Sequence, residues 1–316
     1  MSDEGNDDQP GRVRPYGGRG DETSGRDRDG RGSRYRQRRP GPDRTGRVRP
    51  EPGRDRPVNG TQQRDGRTDR DGSSRARTTG GRSGASVDPP TDPEVTGREL
   101  DDDVRSELST LRGGAAGAVA RHLVMAGRLI DDDPALAYEH ALAARRRAAR
   151  VGVVREAAGV AAYAAGRYSD ALSELRAARR ITGSPEYLPM MADSERGLGR
   201  PRRALDLAAD PAVAGLDIAG RIEMLIVAAG ARRDLGQLEA AAVSLQIPEL
   251  RSRFQRPWVA RLRYAYADAL AALGRVEEAR HWFVKAAEAD HDEETEALDR
   301  IAELDGRTPG DKGLIE

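Results

Sequence analysis

Five glycines at nearly regular intervals restrict the fold of this chain more than any other feature. Gly127, Gly166, Gly199, Gly236 and Gly274 lie in the stretches AGRL, AGRY, LGRP, LGQL and LGRV and follow one another after 39, 33, 37 and 38 residues. A glycine at the end of an apolar helical stripe supplies the left-handed residue that closes a helix. From Glu99 onward apolar residues recur at i, i+3, i+4 and i+7, and no window alternates as a strand would. Repeated closure at one period predicts an all-α array of helical hairpins, each the same unit.

The unit has further fixed points. An alanine lies five residues beyond four of the glycines: Ala171, Ala204, Ala241 and Ala279. In the first copy the insertion DDDP (131–134) displaces it to Ala137. A small residue here lets the second helix cross the first closely. Tyr168 and Val276, two residues past their glycines, are expected to plug the corner. Leu175, Ala208, Leu245 and Phe283, four past the alanine, are expected to pack between neighbouring hairpins. Asp133-Pro134, Ser184-Pro185-Glu186 and Asp210-Pro211 each place a capping side chain before a proline at a helix start. The second helix of the third copy reads as short, and the connectors at 209–219 and 246–257 as long.

This pattern resembles the tetratricopeptide repeat family, on Gly159, Gly166, Tyr168, Ala171, Leu175, Ala178 and Pro185 in residues 152–185 and on Ala267, Gly274, Val276, Ala279, Phe283 and Ala286 in the last copy. The likeness covers about residues 120–290. It implies an α-solenoid of antiparallel helix pairs whose first helices line a concave groove. Counted from the corner glycines, the side chains expected to face that groove are Glu156, Val160, Tyr163, Asp193, Arg196, Glu223, Ile226, Arg233, Arg261, Tyr264 and Asp268. A groove of mixed charge with two tyrosines suits an extended or helical peptide. The Lys/Asn clamp with which some members hold a chaperone's terminal carboxylate is absent: residues 98–316 contain no Asn, and Lys only at 285 and 312. In composition the chain also resembles tetratricopeptide-repeat proteins of actinobacteria with an Arg-rich, low-complexity leader.

The first 97 residues differ from the rest. They hold 21 Arg, no Lys and 17 acidic residues, a net +4 that cancels the −4 of the remainder. Their apolar residues are isolated, so burial cannot offset a chain entropy of about 1–2 kcal/mol per residue, and the segment is expected to be a disordered tail. Helical repeats are expected over 98–305, ending in an amphipathic capping helix at 292–305, with 306–316 frayed. Residues 31–50 carry eight Arg against one Asp, which makes a second reading possible: an RNA- or ribosome-associated protein whose tail contacts phosphates.

No catalytic constellation is present. There is no cysteine, which removes thiolate chemistry and Cys-ligated metals. His122, His140, His281 and His291 have no ligand spacing and read as structural or surface residues, with no metal expected. The Asp runs 101–103 and 131–133 read as helix N-terminal charges favoured by the macrodipole. Gly113, Gly114 and Gly117 read as a small-residue patch on a helix rather than a phosphate loop. With no cofactor motif, no signal peptide and no membrane-spanning apolar run, the expectation is a cytoplasmic, non-enzymatic scaffold for a protein or peptide partner.

Overall fold

A computed structural model describes residues 88–254, 256–291 and 293–306. The expected disorder of residues 1–87, the Arg-rich run at 31–50 and the expected fraying of 307–316 lie outside the described residues. Among those described, regular structure is all helical and no strand occurs, so the described part of the chain is all-α. Five hairpins follow in order: α2 (Ala115–Leu129) with α3 (Pro134–Ala148), α4 (Gly152–Ala164) with α5 (Tyr168–Thr182), α6 (Leu188–Gly197) with α7 (Pro201–Ala208), α8 (Ile218–Asp234) with α9 (Leu238–Ser244), and α10 (Pro257–Ala272) with α11 (Val276–Ala289). A short α1 (Asp102–Leu108) precedes them and α12 (Ala297–Leu304) follows. Each second helix packs on the first helix of the next hairpin, and α8 touches both α6 and α10. The architecture is repeat-like.

Four corners are built alike. Gly166, Gly199, Gly236 and Gly274 have φ of 69°, 69°, 74° and 74°. In each, the glycine N–H donates to the carbonyl three residues back at 2.8–2.9 Å. The next residue (Arg167, Arg200, Gln237 or Arg275) donates to the carbonyl five back at 2.8–3.0 Å. These two bonds satisfy helix-end carbonyls that would otherwise be orphaned. A Cβ at any of the four would meet nothing within 4 Å, so the requirement for glycine is conformational. Gly166→Ala is therefore expected to cost about 1–2 kcal/mol, the left-handed penalty of an L residue. Urea denaturation checks this, and an unchanged midpoint would remove the corner assignment.

The first corner departs from expectation. Gly127 lies inside α2, which runs on to Leu129, and it is not among the positive-φ glycines. The reversal is made by residues 130–133, where the Asp133 N–H donates to the Leu129 carbonyl at 2.8 Å. Asp133 then caps α3 by accepting from the Leu136 N–H at 3.0 Å, ahead of Pro134. The inserted aspartates thus supply the turn that glycine supplies elsewhere. Ala137, Ala171, Ala204, Ala241 and Ala279 are all fully buried, as close helix crossing requires.

Other starts and ends are also adjusted. Ser184-Pro185 does not open α6, which begins at Leu188; the Ser184 hydroxyl instead accepts from the Glu186 N–H at 3.2 Å in a turn. Asp210 caps Pro211–Gly215, a 3-10 turn rather than an α-helix. Asp217 caps α8 through the Gly220 N–H at 2.6 Å. The short second helix of the third hairpin is α7, eight residues long. In the connector after α9, Arg263 donates to the carbonyls of Leu250, Ser252 and Lys285 at 3.3, 2.8 and 3.0 Å, pinning a long loop to α10 and α11. The final helix is shorter than expected because the Asp290 carboxylate takes the N–H groups of Glu294 and Thr295 at 2.8 and 2.7 Å and holds that segment in a turn. Gly113 and Gly114 are not helical: both have positive φ, and α2 starts after them.

Tyr168 packs against the next hairpin: its ring lies over Gly197 on α6, where a Cβ would approach it to 2.4 Å. Val276 does not; it is 42% exposed, with α12 alone following α11 among the described residues. Residues 88–97, assigned by composition to the tail, instead continue into a docked segment 88–100. Val95 and Leu100 are each 1% exposed within the core formed by α2, α3 and α4. Composition undervalued Val95 because it stands alone among polar residues.

Candidate functional site

The first helices of successive hairpins carry a ladder of polar contacts, each rung joining one to the next. From α4, the Tyr163 hydroxyl donates to Asp193 on α6. Arg196, one turn along α6, donates to Asp193 at 2.9 Å and grips Asp234 at the end of α8 with two bonds, 2.8 and 3.2 Å. Its guanidinium lies over Gly230, where a Cβ would come within 2.5 Å of Cζ, so glycine is what admits the clamp. Arg233 on α8 pairs with Asp268 on α10, and Arg300 on α12 reaches the other oxygen of Asp268 at 3.4 Å. A second rung joins Glu223 on α8 to Arg261 on α10 at 2.5 Å. The forked guanidinium is what allows one side chain to bridge two helices with defined geometry.

Seven of the eleven groove candidates, Tyr163, Asp193, Arg196, Glu223, Arg233, Arg261 and Asp268, are these rungs. Their charges are spent largely on one another. Tyr264 stands beside Asp268, and burial together with that carboxylate pushes its phenol up to about 12. Its ring meets Phe283 edge-on at 5.3 Å. Val160 (1% exposed), Glu156 and Ile226 (7% each) are buried. Val160 and Ile226 belong to the apolar core, and Glu156 is buried rather than on an open face.

A second set of contacts joins second helices to neighbouring first helices. Glu174 on α5 is 2% exposed and takes Arg145 from α3 and Arg155 from α4, the latter at 2.6 Å. Glu195 on α6 is 1% exposed and faces Arg176 of α5 at 2.6 Å and Arg200 at 3.6 Å. Two guanidiniums per buried carboxylate offset its desolvation, which would otherwise be several kcal/mol. The readable signal was position: Glu174 sits on the stripe Ala171–Leu175–Ala178, where a carboxylate must be paired.

The histidines divide into a surface pair and a buried pair. His281 and His291 are exposed. His122 and His140, from α2 and α3, are buried and meet Nδ1 to Nδ1 at 3.0 Å, so one ring donates and the other accepts. Asp101 to Asp103 stand at the cap and first turn of α1 as expected. Among the described residues no helix is long and apolar enough to cross a membrane. No protein-family model matches the chain, and no curated protein matches it.

Proposed function

We propose that the hairpins form a tetratricopeptide-like α-solenoid and that the protein is a cytoplasmic, non-enzymatic scaffold holding a protein or peptide along its first helices. The observation carrying this reading is the rung ladder on α4, α6, α8, α10 and α12, built over four identical glycine corners. Rungs that link hairpin to hairpin keep such a face in one shape before a partner arrives, which lowers the ordering entropy of binding. Because its charges are internally paired, binding should be set by shape and hydrogen bonding, with modest salt dependence.

The test is crosslinking capture from the native host with the full-length protein. Asp268→Asn, on the ladder, is expected to weaken capture of the identified partner about tenfold, close to 1.4 kcal/mol. Arg202→Gln on the exposed side of α7 should leave it unchanged. Equal capture by both variants overturns the choice of face. If the captured species is RNA, retention should fall steeply with salt, as phosphate contacts do, and the tail-contact reading takes its place.

A further inference from the structure

The docked segment 88–100 has one footing on each helix of the first hairpin. On α2, the Gly97 backbone (φ +87°) lies so close that a Cβ would come within 2.6 Å of the Ala120 Cβ, and Asp92 stands 4.0 Å from Arg128. On α3, the Asp88 carboxylate takes Arg146, its Nε at 3.1 Å, and Arg147. The His122–His140 contact lies in the interface between those same two helices, with ring centroids 5.2 Å apart.

That contact counts protons. With both rings neutral, one Nδ1–H donates to the other ring's Nδ1 lone pair. With one proton added the bond survives, because an imidazolium still has a neutral acceptor. A second proton removes the acceptor and leaves two cations in contact away from water. The neighbours do not compensate. Arg146 and Arg147 from α3 oppose charging of His122; Asp88 from the docked segment favours it but is already held by those arginines; Glu139 on α3 favours charging of His140. Burial, with the facing ring next in weight, lowers His122 from 6.5 to about 4, and burial lowers His140. Both folded values lie below the ordinary one, so the folded state binds fewer protons. Stability is whole above about pH 6.5 and falls as the pH drops from there toward about 4. Asp88 is held down to about 2 by its two arginines, so the α3 footing does not titrate in that window.

We infer that the His122–His140 contact is a proton-operated latch: a second proton on the pair parts α2 from α3 and thereby releases the segment 88–100, which needs both helices. Residues 88–100 would then leave the helical body in acid and stay docked at neutral pH.

The experiment is hydrogen exchange on the full-length chain from pH 7 to pH 4, expressed as protection factors. Amides of 95–100, α2 and α3 are expected to lose protection by up to about 300-fold, the equivalent of a histidine lowered from 6.5 to about 4, while α8 and α10 hold theirs. The His122→Gln/His140→Gln protein, whose amides bond but do not titrate, should lose this pH dependence. Asp88→Asn should loosen the segment at every pH, neutral pH included. Joint loss across α2, α3, α8 and α10, an unchanged profile in the double Gln protein, or a segment that Asp88→Asn loosens only in acid would each overturn the latch. Should the double Gln protein fail to fold, imidazole 15N shifts of the wild type decide. Titration of the pair coinciding with segment release supports the latch, and release at a pH where neither ring titrates overturns it.

Discussion

Phe283→Ala is expected to unfold the C-terminal part of the array and leave the N-terminal part standing. Phe283 is fully buried on α11, in a core shared with Leu262, Ala267, Leu270, Ala279 and Ala286. Tyr264 meets it edge-on at 5.3 Å, and the Arg300 guanidinium lies 5.6 Å from its centroid. The three alanines around it cannot swing in to refill the space, so the cavity persists and the loss falls at about 3–5 kcal/mol. That is a large share of the whole stability of an ordinary domain. The damage should stay local. The buried apolar residues divide into three main clusters, spanning roughly 95–171, 172–231 and 222–297, and repeat-like stability is close to a sum over neighbours. Hydrogen exchange should show α10, α11 and α12 open while α2 to α5 keep their protection. A single concerted transition with uniform loss would show that the clusters are one cooperative unit. Phe283→Leu, which keeps most of the volume, should cost much less.

What could be read in advance followed from how local each cause is. Gly166, Gly199, Gly236 and Gly274 were legible because a left-handed residue is a property of one position and its two hydrogen bonds. Ala171 and its equivalents were legible because a helix crossing needs one small side chain at one offset. Gly127 misled because Ala-Gly-Arg is also an acceptable helix interior; the competing turn was written from four residues later, in Asp131 to Asp133. Counting from a glycine gives the direction of a side chain around its own helix but not the breadth of the neighbour lying on it. Val160 and Ile226 therefore ended in the core, while Asp193, Arg196 and Asp268 reached the face. The rungs themselves span 30 to 38 residues, as Tyr163–Asp193 and Arg196–Asp234 do, and such pairing is fixed by hairpin stacking rather than by local pattern. The histidine contact is of the same kind. Each ring lies on a buried stripe, His122 beside Leu123 and Ala126 and His140 beside Ala137 and Ala144, and a polar residue on a stripe signals a partner without naming it.

Gly159 tests the same geometry from the opposite direction, because here two familiar effects oppose each other. In the middle of α4, glycine is a poor helix former, and alanine would ordinarily gain about 0.5–1 kcal/mol. The site leaves no room for that gain. A Cβ at 159 would stand 2.4 Å from Leu175 Cδ2, 2.6 Å from its Cγ and 3.2 Å from its backbone nitrogen. The Leu175 side chain is 1% exposed and cannot turn away, and its backbone is locked in α5. Overpacking of this kind costs about 1–3 kcal/mol, so Gly159→Ala should be destabilised on balance and Gly159→Val more so, by about 3 kcal/mol, with a branched side chain added to the same contact. The coupling separates this cause from a generic loss of flexibility. Leu175→Ala alone is expected to cost about 2–5 kcal/mol through its cavity. Combined with Gly159→Ala it should cost measurably less than the sum of the two, because the new methyl enters the space the leucine left. Urea midpoints of the four proteins in that cycle measure the term. Strict additivity, or a Gly159→Ala protein more stable than the parent, would mean that α4 and α5 do not cross at Gly159 and Leu175.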